Sequence, residues 1–497
     1  MNTNIILFFV ILYFIGLLYI ANRTSRNSDN QSFFIGNRKS KWWLVAFGMI
    51  GTSLSGVTFI SVPGTVGKLT GTEYIYGGFE YYMMVIGFFL GYFIVAFVLL
   101  PLYYKMNLTS IYTYLGRRFN VEAHKTGSIF FIVSRAIGAT ARLFLVINVL
   151  QLFLLNQIGI PFWLTTLIIL IMIVLYTYEG GVKTIVVTDT LQTSFMILSL
   201  VICIIYVLTQ LDLSVSEGYS KISEYNYTHL MNFDTNSATF FLKTIIGGMF
   251  ITIGMTGLDQ EMMQKNISVD NLYNSKKNML TFASILLIVN FAFLFLGGLL
   301  YLYAMQNGAV YGDGVFGFIF PALSLQGYFP IFLSVIFIIG LISALFPSAD
   351  GALTSLTSSF CVDLLKMNDN EKTTEKQKKK TRITVHLAFT VVFFLLILIF
   401  KWINDKSIVY LIMSIAGYTY GPLLGLFAFG ILTKRTINIR FSILSIALIA
   451  PVITFLINEY FIHYTDYRIG VELIVLNGLL TFVGLWLFSK KKQKSMA

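Results

Sequence analysis

Charge is scarce in this chain. Only 12% of its 497 residues are Asp, Glu, Lys or Arg, while 56% are hydrophobic. That balance leaves nothing from which to build a soluble domain, and the longest polar stretches, 209–237 and 366–382, are of loop size. Cysteine is scarcer still. Cys203 and Cys361 both sit in apolar runs and imply neither a disulfide framework nor a metal cluster. The four histidines are scattered, which argues against a zinc enzyme. No Gly-x-x-x-x-Gly-Lys-Ser/Thr loop occurs, so direct ATP coupling is not expected. A net charge of +12 would suit a nucleic-acid partner, but no basic helix with interleaved aromatics lies outside the apolar runs. The excess positive charge reads instead as topology charge facing an anionic inner leaflet.

What the chain has in abundance is apolar length. A hydrocarbon core about 30 Å thick is crossed by roughly 20 apolar helical residues. Thirteen segments qualify as candidate spans: 4–20, 42–66, 77–104, 126–155, 160–178, 185–208, 238–262, 278–304, 328–362, 383–402, 407–432, 439–458 and 470–489. With Met1 outside, the inner loops carry 27 of the 35 Lys and Arg residues and the outer side only Lys68, Lys221, Lys401, Lys406 and Arg468. Basic residues concentrate on the cytoplasmic side of inserted proteins. The expectation is a multi-pass protein of the cell membrane, N-terminus outside and C-terminus cytoplasmic. Arg23 and Arg26 follow the first span rather than precede it, so it reads as a retained helix and not a signal peptide. The charged stretch from Lys366 to Arg382 reads as a solvated linker, and Lys490 to Lys494 as a basic tail.

Two spans carry small and hydroxylated residues at mid-depth. The second is interrupted at Gly51-Thr52-Ser53-Leu54-Ser55-Gly56 and closed by Pro63-Gly64. The seventh, five helices later and running the opposite way, holds Gly247-Gly248, Gly254, Thr256 and Gly257. Paired, interrupted helices in the two halves of a membrane protein point to a secondary transporter built from inverted repeats. Close helix packing is the competing explanation for Gly247-Gly248. Ionisable residues inside spans are costly and point to function. Here they are Glu80, Arg135 and Arg142 (two turns apart on one face), Asp189 and Asp350; Lys243, near a span end, is expected to snorkel to the interface. The arginines either pair with carboxylates and carbonyls or touch a solute. If Asp189 and Asp350 converge, a cation or a proton must separate them. The hydroxyl run from Thr354 to Ser359 either offers oxygens to a hard cation or packs small residues against a neighbouring helix, the latter above all for Ser358 and Ser359.

Three stretches together resemble the sodium–solute symporter family, whose members carry sugars, sialic acid, proline, carboxylates, vitamins and inorganic anions. They are Gly51 to Phe59, Gly180-Gly181-Val182-Lys183-Thr184 leading to Thr188-Asp189-Thr190-Leu191-Gln192, and Asp259-Gln260-Glu261-Met262-Met263-Gln264 with Ser268 beyond. The resemblance implies an all-α membrane fold of about thirteen helices in a single domain over 1–497. A leading helix (4–20) would precede a five-plus-five inverted-repeat core (42–432), with two trailing helices and a basic tail (433–497). It also implies a main sodium site made by the carbonyls of Gly51, Leu54 and Ala344 and the hydroxyl of Ser348. The family usually has two adjacent Ser/Thr there, and Pro347 replaces the first. A second cation site would use Asp189 and Asp350. Solute contacts would come from Ser53, Ser55, Thr58, Tyr76, Glu80, Arg135 and Arg142. Sialic acid relatives place a carboxylate-binding arginine nearest Gly138, between the two arginines, while sugar-carrying members have a glutamate in the region of Glu80.

The function expected on these grounds is sodium-coupled import of a small polar organic solute by alternating access, a sugar or sugar acid in preference. The alternatives are a proton-coupled permease of the same fold, using Asp189 or Asp350, or an amino-acid or carboxylate symporter. Sodium is the expected coupling ion, with no other cofactor, and the expected partners are the solute, sodium and the lipid bilayer, without nucleic acid. The chain ends eight residues after its last span, so an appended signalling domain is not expected.

Overall fold

A computed structural model describes the chain except residues 1–2, 26–29, 68–76, 179, 310–318, 368–373, 404–407, 438–441 and 492–497, and except the side chains of Gln31 and residues 408–414. The described residues are almost entirely helical. In chain order the elements used below are α1 (Thr3–Ser25), α2 (Trp42–Ser53), α3 (Gly56–Gly64), α4 (Tyr81–Lys105), α5 (Val121–Ile158), α6 (Phe162–Thr177), α7 (Gly181–Leu211), α8 (Val215–Glu224), α9 (Phe241–Gly257), α10 (Gln260–Ile267), α11 (Leu272–Gln306), α12 (Ile331–Leu364), α13 (Glu375–Ile403), α14 (Ile408–Leu432), α15 (Ser442–Tyr464) and α16 (Leu473–Leu487). Each predicted segment coincides with one helix or one bent pair. Nine helices are long and apolar enough to cross a membrane, or eleven when each bent pair is one span, among the described residues. α6 and α16, with 16 and 15 residues, are shorter than a full crossing, so helix length by itself does not support a count of thirteen.

The two bent pairs form where the sequence weakens a helix. α2 and α3 meet at 57° and α9 and α10 at 64°. At the first break Leu54 leaves the helical region (φ −84°, ψ 63°) and Ser55 is extended (ψ 172°), within a run of Gly, Ser and Thr that gives little helix propensity. The second break lies at Leu258–Asp259, beyond the glycines. Gly247 and Gly248 stay within an unbroken helix, so close packing explains them. A Cβ on Gly248 would drive into the Met84 carbonyl of α4, and one on Gly247 into Val471 and Glu472 at the start of α16.

Phenylalanines hold α3, the second half of the first bent pair. Phe59 of α3 packs against Phe293 of α11, Phe337 of α12 and Phe320 of the short helix Ile319–Leu325, with ring centroids 5.3–5.6 Å apart. Large apolar side chains such as Ile288, Trp402 and Leu432 lie exposed on the outside of the bundle, where lipid would cover them. The linker expected over 366–382 is helical from Glu375 onward. Its last residue is not solvated: Arg382 is buried and stacks 4.1 Å from the Phe33 ring.

Candidate functional site

The first break is neutral and open. Because α2 stops at Ser53, the carbonyls of its last turn lack the usual amide partner four residues on. Ile50 O regains one from Leu54 N at 2.7 Å, but among the described residues no donor reaches the carbonyls of Gly51 or Leu54. α12 passes directly alongside. A Cβ on Gly51 would lie 3.3 Å from the Pro347 ring, and one on Gly56 would lie 3.8 Å from Leu345 Cα. The turn of α12 that includes Leu345 and Pro347 thus lies against the break; Ala344 and Ser348 belong to the same turn and are buried, and the Ser348 hydroxyl has no hydrogen-bond partner among the described residues. Uncapped carbonyls beside a buried, partnerless hydroxyl are what a small hard cation wants as ligands. Pro347 contributes no hydroxyl. Lacking an N–H, it also leaves the Ser343 carbonyl, four residues back, without its helical donor.

The second break is charged and closed. Asp259 caps α10, accepting from the amides of Glu261 (2.9 Å) and Met262 (3.3 Å). Its other carboxylate oxygen accepts from Tyr420 of α14 at 2.6 Å. Tyr103 and Tyr112 donate to the carbonyls of Gly257 and Leu258 at 2.8 and 2.9 Å, so the freed backbone is satisfied. Arg135 of α5 binds Glu261 directly and lies 3.8 Å from Asp259. Its role is therefore the structural pairing. Arg142, two turns on, differs. It lines a narrow cavity with Gly138, Met255, Ala416 and Tyr420 and makes no hydrogen bond or ion pair among the described residues. Val146, one further turn along α5, is what a Cβ on Gly56 would strike, so this face of α5 abuts the first break.

Asp189 and Asp350, both fully buried, lie within electrostatic reach of each other. Each has a partner at Oδ2, while Oδ1 of each is buried without one among the described residues. Tyr176 donates to Asp350 at 2.8 Å, and Lys265 donates to Asp189 at 2.7 Å. Lys265 stands in the charge pattern above as an inner-loop residue, yet it is 3% exposed and belongs to the interior. Its neighbours Gln260, Glu261 and Gln264 make the segment look like a loop in sequence, whereas every residue of α10 is buried. The family signature at Asp259 to Ser268 is the signal that this stretch is not an ordinary loop. The hydroxyl run after Asp350 is mostly structural. Thr357 contacts His386, Ser358 accepts from Gln264, and Ser359 donates to Asp363, while Thr354 has no partner. Lys243 reaches the Ser237 and Arg468 carbonyls and the Tyr467 ring near the end of α9.

The remaining expected contacts divide. Ser53 and Thr58 are half-buried and Ser55 is buried at the first break, with Ser53 Oγ 3.5 Å from the Tyr92 hydroxyl. Glu80 precedes α4 and is held by His229, from the segment after α8, at 3.2 Å. Tyr76 lies outside the described residues.

Residues 33–439 match the Sodium:solute symporter family. The sodium/sialic acid symporter NanT of Aliivibrio fischeri is 25% identical over 470 residues, covering 93% of this chain and 89% of that protein. The sodium/sialic acid symporter SiaT of Proteus mirabilis is 24% identical over 428 residues, covering 84% and 82%. A solved Na+-coupled sialic acid symporter in a substrate-bound, outward-open state matches with a TM-score of 0.81 at 20% identity over 99% of both chains, a likeness of fold.

Proposed function

Because the chain belongs to the sodium:solute symporter family and is a multi-pass, sodium-coupled transporter rather than an enzyme, we propose that its solute is a carboxylated sugar of the sialic acid type. The observation that carries this reading is Arg142, a guanidinium with no hydrogen-bond or ion-pair partner among the described residues, lining a narrow cavity on a face of α5 that one turn on, at Val146, abuts the first break. A bidentate carboxylate would complement that charge at close range. The names of the two relatives support the same solute class. Ser53, Ser55 and Thr58 supply hydroxyl contacts for the sugar. Glu80 joins them once His229 releases it.

The coupled sodium binds at the first break, on the carbonyls of Gly51, Leu54 and Ala344 and the Ser348 hydroxyl. Solute and ion then share the break, so filling one site favours the other. The gradient supplies about 2.3 kcal/mol per charge per 100 mV, and the two halves of an inverted-repeat core over 42–432 expose the site alternately. We place the protein in the plasma membrane, N-terminus outside, on the strength of the loop charges.

Purified protein in liposomes tests this. The expected result is uptake of N-acetylneuraminate that requires an inward sodium gradient and, at low solute concentration, falls about ten- to a hundredfold in Arg142→Ala. Sodium-independent uptake that rises steeply with an inward proton gradient would favour the proton-coupled alternative. Transport of neutral sugars in preference to carboxylated ones would remove the solute assignment.

A further inference from the structure

The carboxylate best placed to make a second cation site already holds a cation of the protein's own. Lys265 Nζ lies 2.7 Å from Asp189 Oδ2, 2.6 Å from Thr52 Oγ1 and 3.7 Å from Glu261 Oε1. Three elements converge on it: Thr52 from α2, Asp189 from α7 and Glu261 from the first turn of α10, one turn before Lys265 itself. All four residues are buried, with exposures of 0–3%. The pocket is tight as well as dry. A Cβ on Gly48 would approach Asp189 Cβ to 3.1 Å, so α2 and α7 are in direct contact there. An ammonium offers donors in the directions where oxygens would otherwise face a metal ion, and it carries the same single positive charge as sodium.

We infer that the Lys265 ammonium is the resident cation of the Asp189 pocket, so that no second sodium binds there and the protein couples its solute to the sodium of the first break only. A free sodium placed about 4 Å from the ammonium would be repelled strongly enough to weaken its binding on the order of a thousandfold. One oxygen of Asp350 is taken by Tyr176, and its free Oδ1 adds a ligand only if the Lys265 ammonium leaves the pocket. The tether also has a mechanical consequence: Lys265 ties the inner half of the first bent pair to the inner half of the second, joining Thr52 to α10 through a charge that never leaves the protein.

This inference rests on the reading of the first break as the coupled-sodium site, and sodium counting separates the two. The probe is radioactive sodium alone, bound at equilibrium to the full-length protein in detergent, without solute. The wild type is expected to bind one sodium, and Ser348→Ala to bind it up to about tenfold more weakly. Asp189→Asn is expected to leave the count unchanged. Lys265→Met is expected to gain one sodium per protein, Lys265→Arg to gain none, and Lys265→Met combined with Asp189→Asn to return to the wild-type count. Loss of one sodium in Asp189→Asn overturns the inference, as does an unchanged count in a folded Lys265→Met protein. If Lys265→Met fails to fold, the Asp189→Asn and double variants decide. An unchanged sodium affinity in Ser348→Ala would count against the first-break site and leave the Lys265 result standing.

Discussion

The two bent helices make a natural comparison. Both break near the middle of a span, and both expose backbone that a bilayer cannot satisfy. At Leu258–Asp259 the protein supplies partners for most of what is exposed: tyrosines on the Gly257 and Leu258 carbonyls, an aspartate on the amides, Arg135 on the carboxylates, with Glu261 Oε1 and Arg135 Nε left over. At Leu54–Ser55 it supplies almost none, and a buried serine is left without a partner. We read the difference as that between a joint and the proposed site. Charged groups satisfied internally hold two helices in register, whereas neutral oxygens left unsatisfied create affinity for something that comes and goes. The two arginines of α5 repeat the contrast at shorter range, since Arg135 is committed to the protein and Arg142 is not.

Substitutions that break this comparison should do so unequally. The largest effect is expected from Glu261→Ala, which strands Arg135 and part of the Lys265 charge in the interior. Removing one partner of a buried ion pair costs about 3–5 kcal/mol, read as a sharp fall in melting temperature in detergent. Next comes Tyr420→Phe, which removes a hydrogen bond to the buried Asp259 carboxylate and should lower stability by about 1.5–3 kcal/mol. A melting temperature equal to wild type would show that the second break is not the joint described. Arg142→Ala should cost a similar amount, about 1.5–3 kcal/mol, but in solute affinity, with uptake at low concentration falling ten- to a hundredfold and stability unchanged. The smallest is Ser348→Ala. Losing one neutral oxygen ligand of about 0.5–1.5 kcal/mol should raise the sodium concentration for half-maximal uptake up to about tenfold, again without loss of stability. If Ser348→Ala instead lowered stability and left sodium dependence alone, the serine would belong to the packing and the contrast between the breaks would collapse.

Much of this was legible in the residues. The apolar runs show the long helices, though not α8 or α10, and Gly51 to Gly56 shows the first break, because loss of helix propensity is local. The second break was placed near the glycines of α9 and lies instead beyond them, where Asp259 can cap α10. Lys265 was misassigned for a related reason. A lysine among polar neighbours is, one-dimensionally, a loop lysine, and only Asp189, 76 residues earlier in the chain, makes its burial affordable. Arg135 and Arg142 were equivalent in sequence, being two turns apart on one face, and only the position of α10 beside the first of them tells them apart.

The sequence alone determined that the chain lives in a membrane, where its helices run, and which of them breaks at Leu54, because hydropathy and helix propensity depend on near neighbours. The tertiary structure decided which ionisable groups are spent on one another and which are left to act. A buried charge is set by the opposite charge beside it, and residues brought together from α2, α5, α7, α10 and α14 carry no sign of that meeting in their order along the chain.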